Sequence, residues 1–169
     1  SIKVHHQTCV SGSEPFLVFH LSKGTKMTLT CEQTSLTDQA AANVIKAACD
    51  YARGQGLKVC VSVVDHHGNL LAFQRINGSP LHSISIAQDK AYTAVSFGIE
   101  TAKWPQRLAS KPYTFQSLAN CSRMSMLGGG VPINIDGQIV AAVGVSGASE
   151  QQDMDCANAG IAILNLASE

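Results

Sequence analysis

The residues best placed to do chemistry lie between Met124 and Asp153, in MSMLGGGVPINIDGQIVAAVGVSGASEQQD. Gly128, Gly129 and Gly130 raise the question of a phosphate cradle. A dinucleotide fingerprint needs spaced glycines leading from a strand into a helix, and a phosphate loop needs Lys followed by Ser or Thr. Here Val131 and Pro132 follow, and then a strand-like run. The glycines therefore read as a sharp backbone bend or as a place where another element, or a flat ligand, approaches closely.

The second cluster, GVSGASEQQD, leaves a strand near Gly144 and enters a helix at Ser149, where Ser149 and Gln152 have capping-box spacing. Free N–H groups at a helix start favour an anion such as a carboxylate, which makes Gly147 and Ser149 candidate ligand contacts. A helix that needs only its cap is the alternative. No nucleophile elbow is present, because Gly144-Val145-Ser146-Gly147 lacks the second spacer residue, and there is no H-E-x-x-H site. An enzyme here would depend on a bound cofactor that brings its own reactivity.

The elements that must position these residues are legible in the spacing. SLTDQAAANVIKAACDYARGQG predicts a helix with Thr37 as N-cap, Ala41, Val44, Ile45, Ala48 and Ala52 on one face, and Gly54 or Gly56 as the stop. LKVCVSVVDHHGNLLAFQRINGSP predicts a β-hairpin turning at Asp65-His66-His67-Gly68. A second helix carries Ile84, Ala87, Ala91 and Val95 on one face and ends at Gly98. A short helix over 101–109 and a wrapping loop over SKPYTFQSLANCSR follow. Strands are expected over 122–127, 131–135 and 138–145, with a tight turn at Asp136-Gly137, and a last helix over 149–166. This order predicts an α+β fold, with an antiparallel sheet of about five strands flanked by helices, because a doubly wound parallel sheet needs regular alternation.

The 169 residues, 45% of them hydrophobic, suit one domain with a proper core. Twelve basic and twelve acidic side chains cancel and form no blocks, which argues against nucleic acid or an anionic membrane as partner. No apolar run reaches the roughly 18–20 residues of a membrane span. The six cysteines show no C-x-x-C spacing and several sit in apolar runs, so they read as reduced, mostly buried thiols of a cytoplasmic protein. The first methionine is Met27, directly before the patterned region; residues 1–26 read as a leader or non-native extension and 27–169 as the functional domain.

VSVVDHHGNLLAFQRINGSPLHSISIAQDKAYTAVSFG, LGGGVPI and GQIVAAVGVSGASEQQD together resemble the family of GlcG, HbpS and the C-terminal domain of PduO, over about Leu36 to Leu166. That resemblance implies a profilin-like domain, homo-oligomeric, with haem binding or haem degradation in some members and links to cobalamin-dependent diol or glycerol metabolism in others. Haem or cobalamin is the implied cofactor. Haem asks for an apolar slot, an axial ligand, and cations or N–H groups for its propionates.

Under that resemblance His82, at the start of the second helix, is the leading metal ligand, with capping or simple exposure as its alternative. His66 and His67 are adjacent on a turn and diverge, so one metal would not take both. Asn69 stands where relatives often carry His, which weakens a family-style histidine role on this hairpin. Met124 and Met126 are expected on one face of a strand, as core rather than ligands, and Cys121 is an outside candidate. Arg75 and Lys90 match the family's F-x-R and D-K-A positions. Arg75 could present a fork to a carboxylate and Lys90 a point charge, the alternative for Lys90 being an ion pair with Asp89 or another acid on a solvated helix face. The residues expected to meet a ligand are thus His82, Arg75, Lys90, Gly128, Gly129, Gly130, Gly147 and Ser149. The expected function is tetrapyrrole binding in haem or corrinoid handling. A small-metabolite enzyme or accessory of glycolate, diol or glycerol breakdown, and a structural assembly subunit, are the two alternatives.

Overall fold

Four antiparallel strands, in the order β2-β1-β4-β3, carry helices on both faces in the computed structural model, which describes residues 28–166. The leader expected over residues 1–26 lies outside the described residues. The strands are β1 (Cys60–Asp65), β2 (Leu70–Arg75), β3 (Gly130–Ile135) and β4 (Gln138–Ser146), and the helices are α1 (Asp38–Gly54), α2 (Ser83–Phe97), α3 (Trp104–Leu108), α4 (Pro112–Ala119) and α5 (Glu150–Leu166). The α+β class is as expected; the sheet has four strands among the described residues, not five.

α1 forms where its periodic face predicts. Thr37 accepts a hydrogen bond from the Ala40 amide at 3.2 Å, and Ala41, Val44, Ile45, Ala48, Cys49 and Ala52 are buried. They meet α5 and one face of the sheet, where Val61, Val63, Val143 and Val145 point inward. The opposite face presents Val64 and Ala142 to Ala91, Ala94 and Val95 of α2. Alternation along β1 and β4 is what allows one sheet to serve two helical layers. Burying a Val-sized side chain contributes roughly 1.5–3 kcal/mol, so these two clusters hold the fold together.

The missing strand is instructive. Residues 122–127 were expected to run extended, but hydroxyls on distant elements hold them instead. Thr93 Oγ1 donates to the Arg123 carbonyl and accepts from the Ser125 amide, both at 2.9 Å, while Thr101 Oγ1 donates to the Leu127 carbonyl at 2.6 Å. Arg123 takes a positive φ of 62°, which no strand tolerates. Met124 and Met126 consequently sit half-buried on a loop rather than on one face of a strand. The wrapping loop expected over residues 110–123 contains α4, a helix with no buried residue and hence no periodic face to read.

Candidate functional site

Two groups of residues share α2. On the side facing β4 and α5, Lys90 is buried, and its ammonium donates to Asp153 Oδ2 and to the Val145 carbonyl, each at 2.9 Å. The expected alternative for Lys90 placed its acid partner on a solvated face; the partner is Asp153, inside the protein. A lysine with so little water needs such partners, since a buried unpaired charge costs several kcal/mol. Burial pushes the Asp153 carboxyl above the usual carboxylate range, and Lys90 with the amides of Ala148 and Gly147 pulls it back.

Gly129 and Gly130 close over this pair, and Gly128 packs against Glu150 beside it. A β-carbon on Gly129, whose φ is +118°, would come within 2.8 Å of the Asp153 Cβ and 3.0 Å of Lys90 Nζ. One on Gly130 would meet the Lys90 carbonyl oxygen at 2.5 Å. The Gly128 amide donates to the Glu150 carboxylate and the Gly130 amide to Thr101 Oγ1. Gly144 does the same for α2: a side chain there would collide with the Ala87 carbonyl and the Ala91 amide. What approaches these glycines closely is the chain's own helices, α2 and α5.

At the start of α5 the predicted capping box is formed. The Ser149 amide donates to Gln152 Oε1 at 3.1 Å, and the Gln152 amide to Ser149 Oγ at 3.3 Å. The Ala148 amide donates to Asp153 Oδ1 at 3.1 Å. Lys90, Gly129 and Gly147 thus surround one carboxylate, Asp153, which was not among the expected site residues, while Gly128 meets Glu150, Gly130 meets Thr101 and Ser149 meets Gln152.

Arg75 and His82 stand apart from this centre. Arg75 is exposed at the end of β2 and donates to the Ser79 carbonyl at 3.2 Å. His82 is exposed at the first turn of α2 and makes no side-chain cap. His66, expected on a solvated turn, is half-buried with Nδ1 2.6 Å from the Ile139 carbonyl oxygen, while His67 is exposed.

The second group faces away from the ion pair. The last two turns of α2 and the segment from Leu118 to Met124 enclose a cleft of about 220 Å³, walled by Tyr92, Phe97, Leu118, Cys121 and Met124 with Thr93 and Arg123 at its edge. The Arg123 guanidinium stacks 3.7 Å from the centroid of the Tyr92 ring, and its Nε is 3.7 Å from Asp89. Phe97 packs edge-on against Trp104, with centroids 4.8 Å apart. An apolar cleft with aromatic walls, sulfur atoms and a guanidinium at the rim can hold a flat apolar ligand that bears an anionic group. Among the described residues no cluster of three or more His, Cys, Asp or Glu side chains could hold a bare metal ion. No helix there is long and apolar enough to cross a membrane.

Residues 36–162 match the family model of the haem-degrading, HbpS-like proteins. The chain is 35% identical to a 15.0 kDa protein from the dhaT-dhaS intergenic region of Citrobacter freundii, over 70% of this chain and 84% of that one. It is 34% identical to GlcG of Escherichia coli K12, over 66% and 81% of the two chains. Among solved structures, HbpS superposes with a TM-score of 0.76 at 36% identity, covering 83% of this chain and 98% of HbpS. A haem complex of PduOC superposes with a TM-score of 0.71 at 30% identity, covering 78% and 96%.

Proposed function

The chain belongs to the HbpS-like family, and on that premise we propose that it binds a tetrapyrrole, haem ahead of a corrinoid. The observation that carries the reading is the cleft between α2 and the 118–124 segment, whose walls are aromatic and aliphatic and whose rim carries Arg123. Haem in the related PduOC structure gives the preference between the two macrocycles. When bound, the macrocycle would supply the redox or ligand chemistry of its metal. The protein's own part is to exclude water with Tyr92, Phe97 and Leu118 and to offer a cation to a propionate.

Titrating the purified chain with haemin, and separately with a cobalamin, tests this. A saturable change in the Soret band at micromolar haemin is expected. No spectral change with either compound overturns the reading, and a response to cobalamin alone reverses the preference. Thermal stabilisation by a small hydroxy acid or diol without any tetrapyrrole band would point to the metabolite-handling alternative.

Association of copies belongs to the same proposal. α4 is only eight residues long and buries none of them, with Tyr113 85% and Phe115 49% exposed. Isolated helices shorter than about 12–15 residues are marginal in water, so α4 gains its stability from being covered. A homo-oligomer of cytoplasmic chains, each with its functional domain beginning near Met27, is the arrangement we favour. Light scattering of the Met27-onward chain should give a mass above one subunit; a strict monomer at micromolar concentration argues against it.

A further inference from the structure

We propose that the end of the sheet beneath the start of α2 binds a small carboxylate, held by Arg75, Ser83 and Ser146. The site lies away from the cleft beside α4 and does not depend on the tetrapyrrole reading.

The strand register builds its floor. Cys60 stands opposite Arg75 on one neighbouring strand and opposite Ser146 on the other. Directly opposed residues share a face, and strands lie about 4.8 Å apart, so Arg75, Cys60 and Ser146 form a row about 10 Å long. The row lies on the face that α2 covers, because a side chain on Gly144, two residues before Ser146, would meet the Ala87 carbonyl and the Ala91 amide. α2 runs antiparallel to β4, with its end at Gly98 over Ile139 and its middle over Gly144. One turn before Ala87, the helix brings Ser83 to the Ser146 end of the strand. Cys60, wholly buried, closes the floor between.

Two hydroxyls at this end stand without partners. Ser83 is 4% exposed and Ser146 6%, and neither side chain makes a hydrogen bond among the described residues. Polar side chains so deeply enclosed are normally satisfied by the protein, by ordered water or by a bound molecule.

Charge at the same place favours an anion. The Arg75 guanidinium is anchored by one bond to the Ser79 carbonyl at 3.2 Å, which brings it to the loop that enters α2. Residues 76–88 contain no Asp or Glu. Lys58, whose side chain runs along Gly78, adds to the positive potential. The first turn of α2 has no acidic residue and no side-chain cap, so the positive end of its dipole is uncompensated. A carboxylate presents about four lone-pair sites. The planar fork of Arg75 fills two, and the hydroxyls of Ser83 and Ser146 fill the others.

The test follows backbone and arginine side-chain NMR shifts of the full chain as sodium acetate is added at constant ionic strength, with sodium chloride and inorganic phosphate as separate arms. The wild type should show saturable shifts centred on Arg75, Ser83 and Ser146. Arg75→Gln should weaken acetate about tenfold or more, since a charge-assisted pair is lost. The double variant Ser83→Ala, Ser146→Ala should weaken it about fivefold or more, yet melt no lower than the wild type, because the hydroxyls hold nothing in the free protein. Shifts that do not saturate, that chloride reproduces, or that persist unchanged in both variants overturn the proposal. A double variant that melts well below the wild type makes the hydroxyls structural and overturns it as well. Saturation by phosphate but not by acetate overturns the carboxylate as the ligand. The Soret response to haemin is a separate readout, and none of these outcomes decides it.

Discussion

Lys90 Nζ lies 2.9 Å from Asp153 Oδ2 with both side chains sealed from water, 2% and 3% exposed. The contact joins the middle of α2 to the first turn of α5, 63 residues apart in the chain. Four further groups, the Val145 carbonyl, the Ala148 amide, the Gly147 amide and the backbone of Gly129, complete the enclosure.

Removing one member of that pair should be costly. Lys90→Met leaves the Asp153 carboxylate buried without its cation, and a loss of about 3–5 kcal/mol is expected in urea unfolding. The double variant Lys90→Met, Asp153→Leu should recover much of it, since two apolar side chains need no partner. A single variant that unfolds at the wild-type urea midpoint would show that the pair holds nothing.

Gly144→Ala should be strongly destabilising for a different reason. The added methyl would meet the Ala87 carbonyl and the Ala91 amide, so α2 must lift from the sheet. Overpacking of this kind typically costs about 1–3 kcal/mol. Gly54→Ala is the control: a β-carbon there meets nothing within 4 Å, and the last turn of α1 should gain a few tenths to about 1 kcal/mol. Thermal melts of the two variants must move in opposite directions for this account to hold.

Asp65 should give the hairpin an acid-sensitive component. Burial works to raise its pKa, but the Asn69 side chain, the Asn69 amide and the His67 amide outweigh that and hold the carboxyl below its ordinary value. The bonds are 3.0, 2.8 and 2.8 Å. The stabilisation is therefore present above the unfolded pKa of about 3.9 and is lost as pH falls through the lower folded value. Asp65→Ala should lower stability by about 1–3 kcal/mol at pH 7, with the gap to wild type closing below pH 4. A gap that stays constant down to pH 2 would place the effect elsewhere than in the carboxylate.

Much of this was legible in the sequence because it is local. The apolar face of α1, its Thr37 cap, the β1–β2 hairpin and the Ser149–Gln152 capping box all depend on residues within a few positions of one another. Residues 122–127 misled because the alternation of Met124 and Met126 suggested a strand, while Thr93 and Thr101, about 26 to 32 residues away, supply the bonds that actually fix the segment. Asp153 escaped for the same reason: nothing near it in sequence announces a lysine on another helix. Two glycine clusters looked like ligand loops because glycine signals close approach without saying what approaches. The cleft residues were seen singly, Cys121 and Met124 among them, but only the fold sets them beside Tyr92 and Phe97.

The lack of any buried residue in α4 bears on how the cleft can respond to what enters it. One wall, α2, is pinned to the sheet by Gly144 and by the ion pair. The other wall has two parts: the Cys121–Met124 stretch, tied to α2 through the Arg123 carbonyl and Thr93, and Leu118 of α4, a helix with no buried residue whose amides should exchange with solvent faster than those of α2. A cavity pinned along most of its wall and compliant at one corner can adjust its width where Leu118 stands without any rebuilding of the core.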